Sequence, residues 1–407
     1  MKKIVIVLFL AAAICGLTAC SPRQAAEEIP PSSSHQPSSS REEEDEQSSC
    51  VSSFSGPENN SDELEISVPD ISKEDEALSP SSETANLSSS LNQAVEEAQT
   101  DPPNIDPNEV QPIAPWTYQS ILGKGMDVDW SKTKQGRKYY NTQSAVDFAA
   151  AGISHVRIRI ADKVDSELFE GLDRQIQDCL DNGIIPIIAY QADEFKNDPS
   201  EKNIKKVVSW WAEVAEHYQN VSPLLSFDLL IEATDSLNKQ PEKLNEIYEQ
   251  LVTEIRKTNP TRIIMISPRL RSDAAYLQEL KIPTQHNGYL MAEWHFYASG
   301  PSKTNERKLW TSGTKQERAL IDEKIKLALD WQKQTNVPTW VGAWMPGNYN
   351  DGDDYTIEEQ IQFAGYMTEQ LTNAGIPFAV NSDTKFYSRE KNKWIAKMQP
   401  VFNAIYN

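Results

Sequence analysis

Two hydrophobic periodicities alternate along the chain from Trp116 to Asn407. Short runs rich in β-branched residues, "KGMDVDW", "HVRIRI", "IIPIIAYQ", "LLSFDLLIE", "RIIMISPR", "YLMAEWHFY", "PTWVGAW" and "PFAVNSD", read as strands. Between them lie longer segments such as "DSELFEGLDRQIQDCLDNG", "KVVSWWAEVAEHYQN" and "EKLNEIYEQLVTEIRKTNP", which read as helices. Several of these end in an Asn-Gly, Asn-Pro or Ala-Gly pair, where a helix stops. Such alternation predicts repeated βα units around a parallel sheet. Eight strands with eight helical connections over about 290 residues fit an α/β fold of one class, a single (β/α)8 TIM barrel. An open doubly wound sheet would want a Gly-rich phosphate loop after its first strand, and "GKGMDVDW" does not supply one.

Upstream of this domain the pattern is absent. Residues 21–112 are rich in Ser, Glu and Pro, with Phe54 the only aromatic side chain. A chain of that composition cannot bury enough apolar surface to offset its conformational entropy, so it is expected to be a disordered linker. Its coil reach is roughly 50–60 Å, extended further by like-charge repulsion. Residues 21–112 hold 21 acidic and 3 basic side chains, so most of the net charge of -21 belongs to the linker and the domain over 113–407 is close to balanced. Without a basic stripe to meet phosphates, no nucleic-acid partner is expected.

The first twenty residues, "MKKIVIVLFLAAAICGLTAC", read as an export signal: two lysines, an apolar run too short for a membrane span, then small residues. The ending "LTAC" resembles the lipobox of bacterial lipoproteins, with Cys20 as the lipidated residue and new N-terminus. Acyl chains there contribute about 0.8 kcal/mol per buried methylene. The expected organisation is therefore a signal over 1–20, a linker over 21–112 and a barrel over 113–407, lipid-anchored on the extracellular face of a bacterial membrane. Cys15, Cys20, Cys50 and Cys179 share no disulfide or metal spacing, and Cys179 reads as a small core residue.

In such a barrel, chemistry sits where strands end and βα loops begin. Strand four ends with Asp228 and Glu232, on one face by the period-two rule, and Glu232 at the mouth suits a general acid/base. Strand six alternates Glu293, His295 and Tyr297 onto one face. Two ligands two residues apart, with no second histidine at another strand end, do not make a metal site. Arg157 and Arg159 on strand two need carboxylate partners if they point inward. Asp127, Asp129 and Trp130 end strand one, and Asn381 and Asp383 end strand eight. Trp130, Trp294, Trp310 and Trp344 fall on or just beyond strand ends and offer faces on which sugar rings stack.

These residues give the chain a resemblance, over 116–407, to glycoside hydrolase family 5, the cellulase-type members of the retaining clan A barrels. "AAAGISHVRIRI" resembles the family's second strand, with Arg157 at its arginine. "FDLLIEA" resembles the fourth strand, which implies Glu232 as acid/base. "HFY" resembles the sixth, giving His295 and Tyr297, and "PTWVGAW" resembles the seventh, which carries the nucleophile. The departures are Ile231 and Ala233 on either side of Glu232, Gln191 for a third-strand histidine and Asn381 for an eighth-strand tryptophan. Ala343 stands where the nucleophile belongs.

Retaining glycosidases need two carboxyl groups about 5–5.5 Å apart, and inverting ones about 6.5–9.5 Å. Alanine supplies neither. If a carboxylate has moved to replace it, Glu293 is the leading candidate, with Asp383 and Asp129 behind. The expectation is a glycoside hydrolase acting on a polysaccharide or oligosaccharide, the alternatives being a binding protein that no longer cleaves and a bare scaffold. Gln191, Asn381, Asp129 and Asp383 join Trp130, Trp294 and Trp344 as candidate substrate contacts. No cofactor or metal is expected: "NYNDGDDY" clusters oxygens about a glycine without the spacing of the twelve-residue calcium loop. The domain is expected to be a monomer.

Overall fold

A computed structural model describes residues 111–298, 308–347 and 355–407. Cys20, the linker up to residue 110 and all of "NYNDGDDY" except Tyr355 lie outside the described residues.

Eight strands, β1 (Lys124–Ser131), β2 (His155–Ile160), β3 (Ile185–Tyr190), β4 (Ser226–Asp228), β5 (Ile264–Ile266), β6 (Leu290–Tyr297), β7 (Thr339–Met345) and β8 (Phe378–Asn381), close into a barrel in sequence order. Each neighbouring pair is parallel, including β8 with β1. Helix α1 (Pro115–Leu122) precedes β1. Helices α2 (Gln143–Ala150), α3 (Ser166–Asp181), α4 (Glu201–His217), α5 (Pro241–Ile255), α6 (Lys315–Thr335), α7 (Ile357–Asn373) and α8 (Gln399–Tyr406) follow β1, β2, β3, β4, β6, β7 and β8. The fifth connection departs from the expected eight helices, having a 3-10 segment, Ala274–Glu279, where the others have a long α-helix.

Local sequence explains the helix starts. The side chain of Asp165 accepts from Leu168 N at the head of α3, and α5 opens on Pro241. Both α6 and α7 carry capping boxes, Thr314 with Glu317 and Thr356 with Glu359.

Two apolar layers hold the barrel. Its floor is filled by Tyr118 and Leu122 of α1 with Ile187, Met265, Met291 and Trp340. Here His155 is a satisfied core residue: Nδ1 donates to Leu122 O at 2.7 Å and Nε2 accepts from Trp340 Nε1 at 3.1 Å. The second layer lies between sheet and helices and contains Trp130, Trp294, Trp310 and Trp344, as well as Cys179.

That placement corrects the reading of these tryptophans as sugar platforms. Successive side chains of a strand face opposite sides. Glu293, His295 and Tyr297 face the lumen, so Trp294 between them must face the helices, and Trp130 follows Asp129 in the same way. Trp130, Trp294 and Trp344 are 0% exposed, and Trp310 is 1%. Trp130 packs on Tyr140 and Phe148, Trp344 on Phe363 and Phe378, and Trp310 on Phe363 and Tyr366. Their area stabilises the shell and leaves no face for a glycan.

The β6–β7 register skips one residue: Trp294 pairs with Val341 but His295 with Ala343. Gly342 fills the irregularity, and a Cβ added there would lie 1.8 Å from Glu293 Oε1. Because Glu293 is pinned by two other contacts, it cannot swing aside cheaply. Gly342→Ala is therefore expected to destabilise the domain by about 1–3 kcal/mol, the range for overpacking. Urea unfolding checks this, and an unchanged midpoint would contradict the packing described.

Candidate active site

A guanidinium in a barrel lumen must be neutralised where it sits. Arg157 is 0% exposed and is met from three strands. Its Nε lies 2.9 Å from Asp228 Oδ2 and 3.4 Å from Asp127 Oδ1, and its Nη1 lies 2.7 Å from Glu293 Oε1. Arg159, one step nearer the mouth, reaches Asp129 Oδ1 at 2.6 Å and Asp127 Oδ2 at 3.3 Å, and donates to Asn381 Oδ1 at 3.1 Å. The two arginines are thus braced by β1, β4, β6 and β8.

The upper level is built on His295. Its Nε2 sits 2.6 Å from Glu293 Oε1 and its Nδ1 3.0 Å from Glu232 Oε1. Burial alone would favour the neutral ring, but Glu293 and Glu232 override it and push the imidazolium up to about 9. Tyr297 donates its hydroxyl to Glu232 Oε1 at 2.5 Å. Arg271 approaches Glu232 Oε2 at 3.3 Å.

Burial opposes the charge on Glu232, yet His295, Tyr297 and Arg271 together hold its carboxyl well below the usual carboxylate range. Glu232 therefore rests ionised in the unliganded site. Beneath it, Asp228 is pushed well above its ordinary value by burial and then by the charge of Glu293. For Glu293 burial acts in the same upward direction, but Arg157 and His295 outweigh it and keep it ionised.

Arg271 is the residue that sequence reasoning missed. It arrives through three consecutive left-handed residues, Leu270 (φ 55°), Arg271 (φ 55°) and Ser272 (φ 61°), none of them glycine. The turn is held by Arg271 N donating to Ala233 O at 3.0 Å and by Leu270 N donating to Asn238 Oδ1. Glu232 itself is left-handed at φ 57°. Such positions cost about 1–3 kcal/mol each and gather where a site over-determines them. No glycine or asparagine in "SPRLRSD" marked the turn.

The other candidates fall into place around this centre. Glu293 does not serve as a relocated nucleophile: it is 0% exposed, bound to Arg157 and His295 beneath Glu232. Asp383, also 0% exposed, accepts from Asp129 N at 3.0 Å and pairs with Arg389 at 3.3 Å, so it is structural. Asp129 keeps 21% of its side chain exposed beside Arg159, and Glu232 keeps 14%. Gln191 accepts from Lys196 Nζ at 3.4 Å, at the end of β3. Ala343 is 1% exposed, in register with His295.

Two recesses open near the mouth. One of about 170 Å³ is lined by Arg271, Asp273, His295, Phe296, Tyr297 and Lys324 among others. A larger one of about 410 Å³, on the side of β2, β3 and α4, is lined by Tyr190 and Trp210 with Lys163, Lys206, Glu194 and Glu213.

The profile of the Cellulase family, glycosyl hydrolase family 5, matches residues 117–380. The chain belongs to glycosyl hydrolase family 5. Among curated proteins it is similar to Endoglucanase H of Acetivibrio thermocellus, 23% identical over 327 residues that cover 75% of this chain. Those residues are 35% of the endoglucanase, so the chain spans about a third of that relative's length. Among solved structures, the endoglucanase Cel5A of the hyperthermophile Thermotoga maritima superposes with a TM-score of 0.63 at 21% identity, covering 72% of this chain and all of that one. The Clostridial cellulose synthase subunit Z (CcsZ) of Clostridioides difficile gives 0.61 at 20% identity, covering 70% of this chain and 100% of that one. These likenesses show the family 5 barrel in this chain. They do not by themselves assign its substrate.

Two consequences of the family 5 site geometry are measurable. Arg157→Met would strand three buried carboxyl groups around an apolar side chain and is expected to cost about 3–5 kcal/mol in urea unfolding. His295, whose value is raised from 6.5 to about 9 in the folded chain, adds stability that is fully present below pH 6.5 and is lost as pH rises through about 9. The unfolding free energy is expected to fall over that window, and His295→Gln to flatten the fall.

Proposed function

We propose that this chain hydrolyses O-glycosidic bonds of a polysaccharide at the mouth of the barrel, with Glu232 as the carboxylate that reacts. The observation that carries the proposal is the convergence of Tyr297, His295 and Arg271 on the Glu232 side chain, which retains 14% exposure at the C-terminal end of β4. A carboxylate held this way, on left-handed backbone, is built for use at a reacting centre. Family membership supplies the reaction class. β-Linked glucans and mannans are the first substrates to test, since Cel5A of Thermotoga maritima is described in complex with cellobiose and with mannotriose.

The glycan would contact polar groups, because the tryptophans near the strand ends are buried. In place of those tryptophans, the recess on the side of β3 offers the half-buried ring of Tyr190, backed at 4.0 Å by the buried Trp210. The export signal and "LTAC" support a chain anchored through Cys20 on the outer face of a bacterial membrane, with the acidic linker carrying the barrel, as a monomer, out to a polymeric substrate.

Ala343 favours a second reading, in which the cleft holds glycan without cutting it. The purified chain, incubated with β-glucan, mannan and xylan, separates the two by released reducing ends and by bound protein. Under the first reading Glu232→Gln is expected to lower reducing-end release by about 100-fold or more while leaving binding within a few-fold. Binding without release in the native chain would establish the second reading instead.

A further inference from the structure

We propose that the recess beside Glu232 takes an acetyl substituent of the bound glycan, so that the site selects acetylated polysaccharide. This rests on the reading above, that the mouth takes a polysaccharide, and adds a feature of that substrate.

The recess is built from the ends of β5 and β6 and from α6. Arg271 and Asp273 follow β5, Phe296 lies on β6, and Leu320 and Lys324 stand four apart on one side of α6. His295 and Tyr297 form a wall shared with Glu232, since both also meet Glu232 Oε1. A sugar placed at that carboxylate is therefore next to the recess. Its volume of about 170 Å³ is close to the ~150 Å³ cavity that takes one benzene molecule. That is room for a substituent and not for a further sugar residue.

The chemistry of the lining narrows the group. Phe296, Leu309 and Leu320 supply apolar surface, against which a hydroxyl or a charge would lose its water without a partner. The cations in the lining each have a counter-charge already: Lys324 Nζ lies 2.6 Å from Asp273 Oδ1, and Arg271 Nη1 lies 3.3 Å from Glu232 Oε2. A carboxylate or phosphate entering here would meet no unpaired cation and would face two like charges. Both cations nevertheless have donors to spare. A guanidinium carries five N–H groups and an ammonium three, and each of these side chains makes one hydrogen bond among the described residues.

Spare donors beside apolar surface suit a neutral group with a carbonyl at one end and a methyl at the other. An acetyl group has that form. Its carbonyl oxygen accepts from Arg271 or Lys324, and its methyl leaves water against Leu309, Leu320 and Phe296. An acetyl ester on a sugar hydroxyl and an acetamide on an amino sugar share this chemistry, and experiment separates them.

The test measures binding by the full chain, so it applies whether or not the bound glycan is cut. Acetylated glucomannan and acetylated xylan are each compared with the same polymer after mild alkali, by affinity electrophoresis. Penta-N-acetylchitopentaose is compared with cellopentaose, which has hydroxyls in place of the acetamides, by calorimetry. One buried methyl and one hydrogen bond predict a preference of about tenfold for the acetylated member of at least one pair. Preference within a polymer pair assigns an ester, and preference within the oligosaccharide pair an amide. Affinities equal to within about twofold in every pair would overturn the proposal and leave the polysaccharide reading standing. Failure to bind any of these glycans would overturn both. Leu320→Trp, which fills the recess from α6, is expected to bring the ratio back to about one. An unchanged ratio in that variant, with native-like melting, would place the preference elsewhere and overturn the assignment. The native chain's own comparison stands without it should the variant not fold.

Discussion

A single buried cation organises this barrel. Arg157 lies in the lumen with no access to water, and the cost of burying a guanidinium is offset only if carboxylates meet it in good geometry. Asp127, Asp228 and Glu293 come from β1, β4 and β6, so satisfying one side chain fixes the relative heights of those strands around it. Glu293, in turn, needs the space that Gly342 leaves open. The β6–β7 register irregularity and the absence of a side chain at 342 are both conditions of the same ion cluster.

From that floor the site is assembled upward. Glu293 holds His295 as a cation, His295 and Tyr297 hold one oxygen of Glu232, and Arg271 faces the other. Charge alternates along the stack, from Arg157 through Glu293, His295 and Glu232 to Arg271. In a lumen of low dielectric such a network is rigid, because each member left alone would face the full cost of its burial. Glu232 is therefore pre-oriented before any glycan arrives.

Most of the fold was legible in the sequence, and for a definite reason. Eight apolar runs at βα spacing admit one closed parallel architecture, and inward parity on β2 and β6 followed from Arg157, Arg159, Glu293, His295 and Tyr297 alone. The same parity rule, applied to Trp130 and Trp294, would have turned them outward. Reading them as sugar platforms gave weight to their place at strand ends and none to which side of the strand they occupy. The fifth connection was overcounted as a helix because "SPRLRSD" and the residues after it have no breaker that declares a left-handed turn.

The part of the site that the sequence could not show is the part made by backbone strain. Arg271 lies 39 residues from Glu232, on a turn whose three residues each prefer another conformation, and no spacing rule connects them. What holds the turn is tertiary: Ala233 O and Asn238 Oδ1 each accept one of its amides. Both acceptors belong to the segment just after Glu232, so the strand that presents the carboxylate also shapes the loop that delivers its cation. Strain of about 1–3 kcal/mol per left-handed residue would not persist on packing grounds alone. Its concentration at the two strand ends that meet Glu232 is the backbone observation on which the proposal of a working centre, with alanine at position 343, rests.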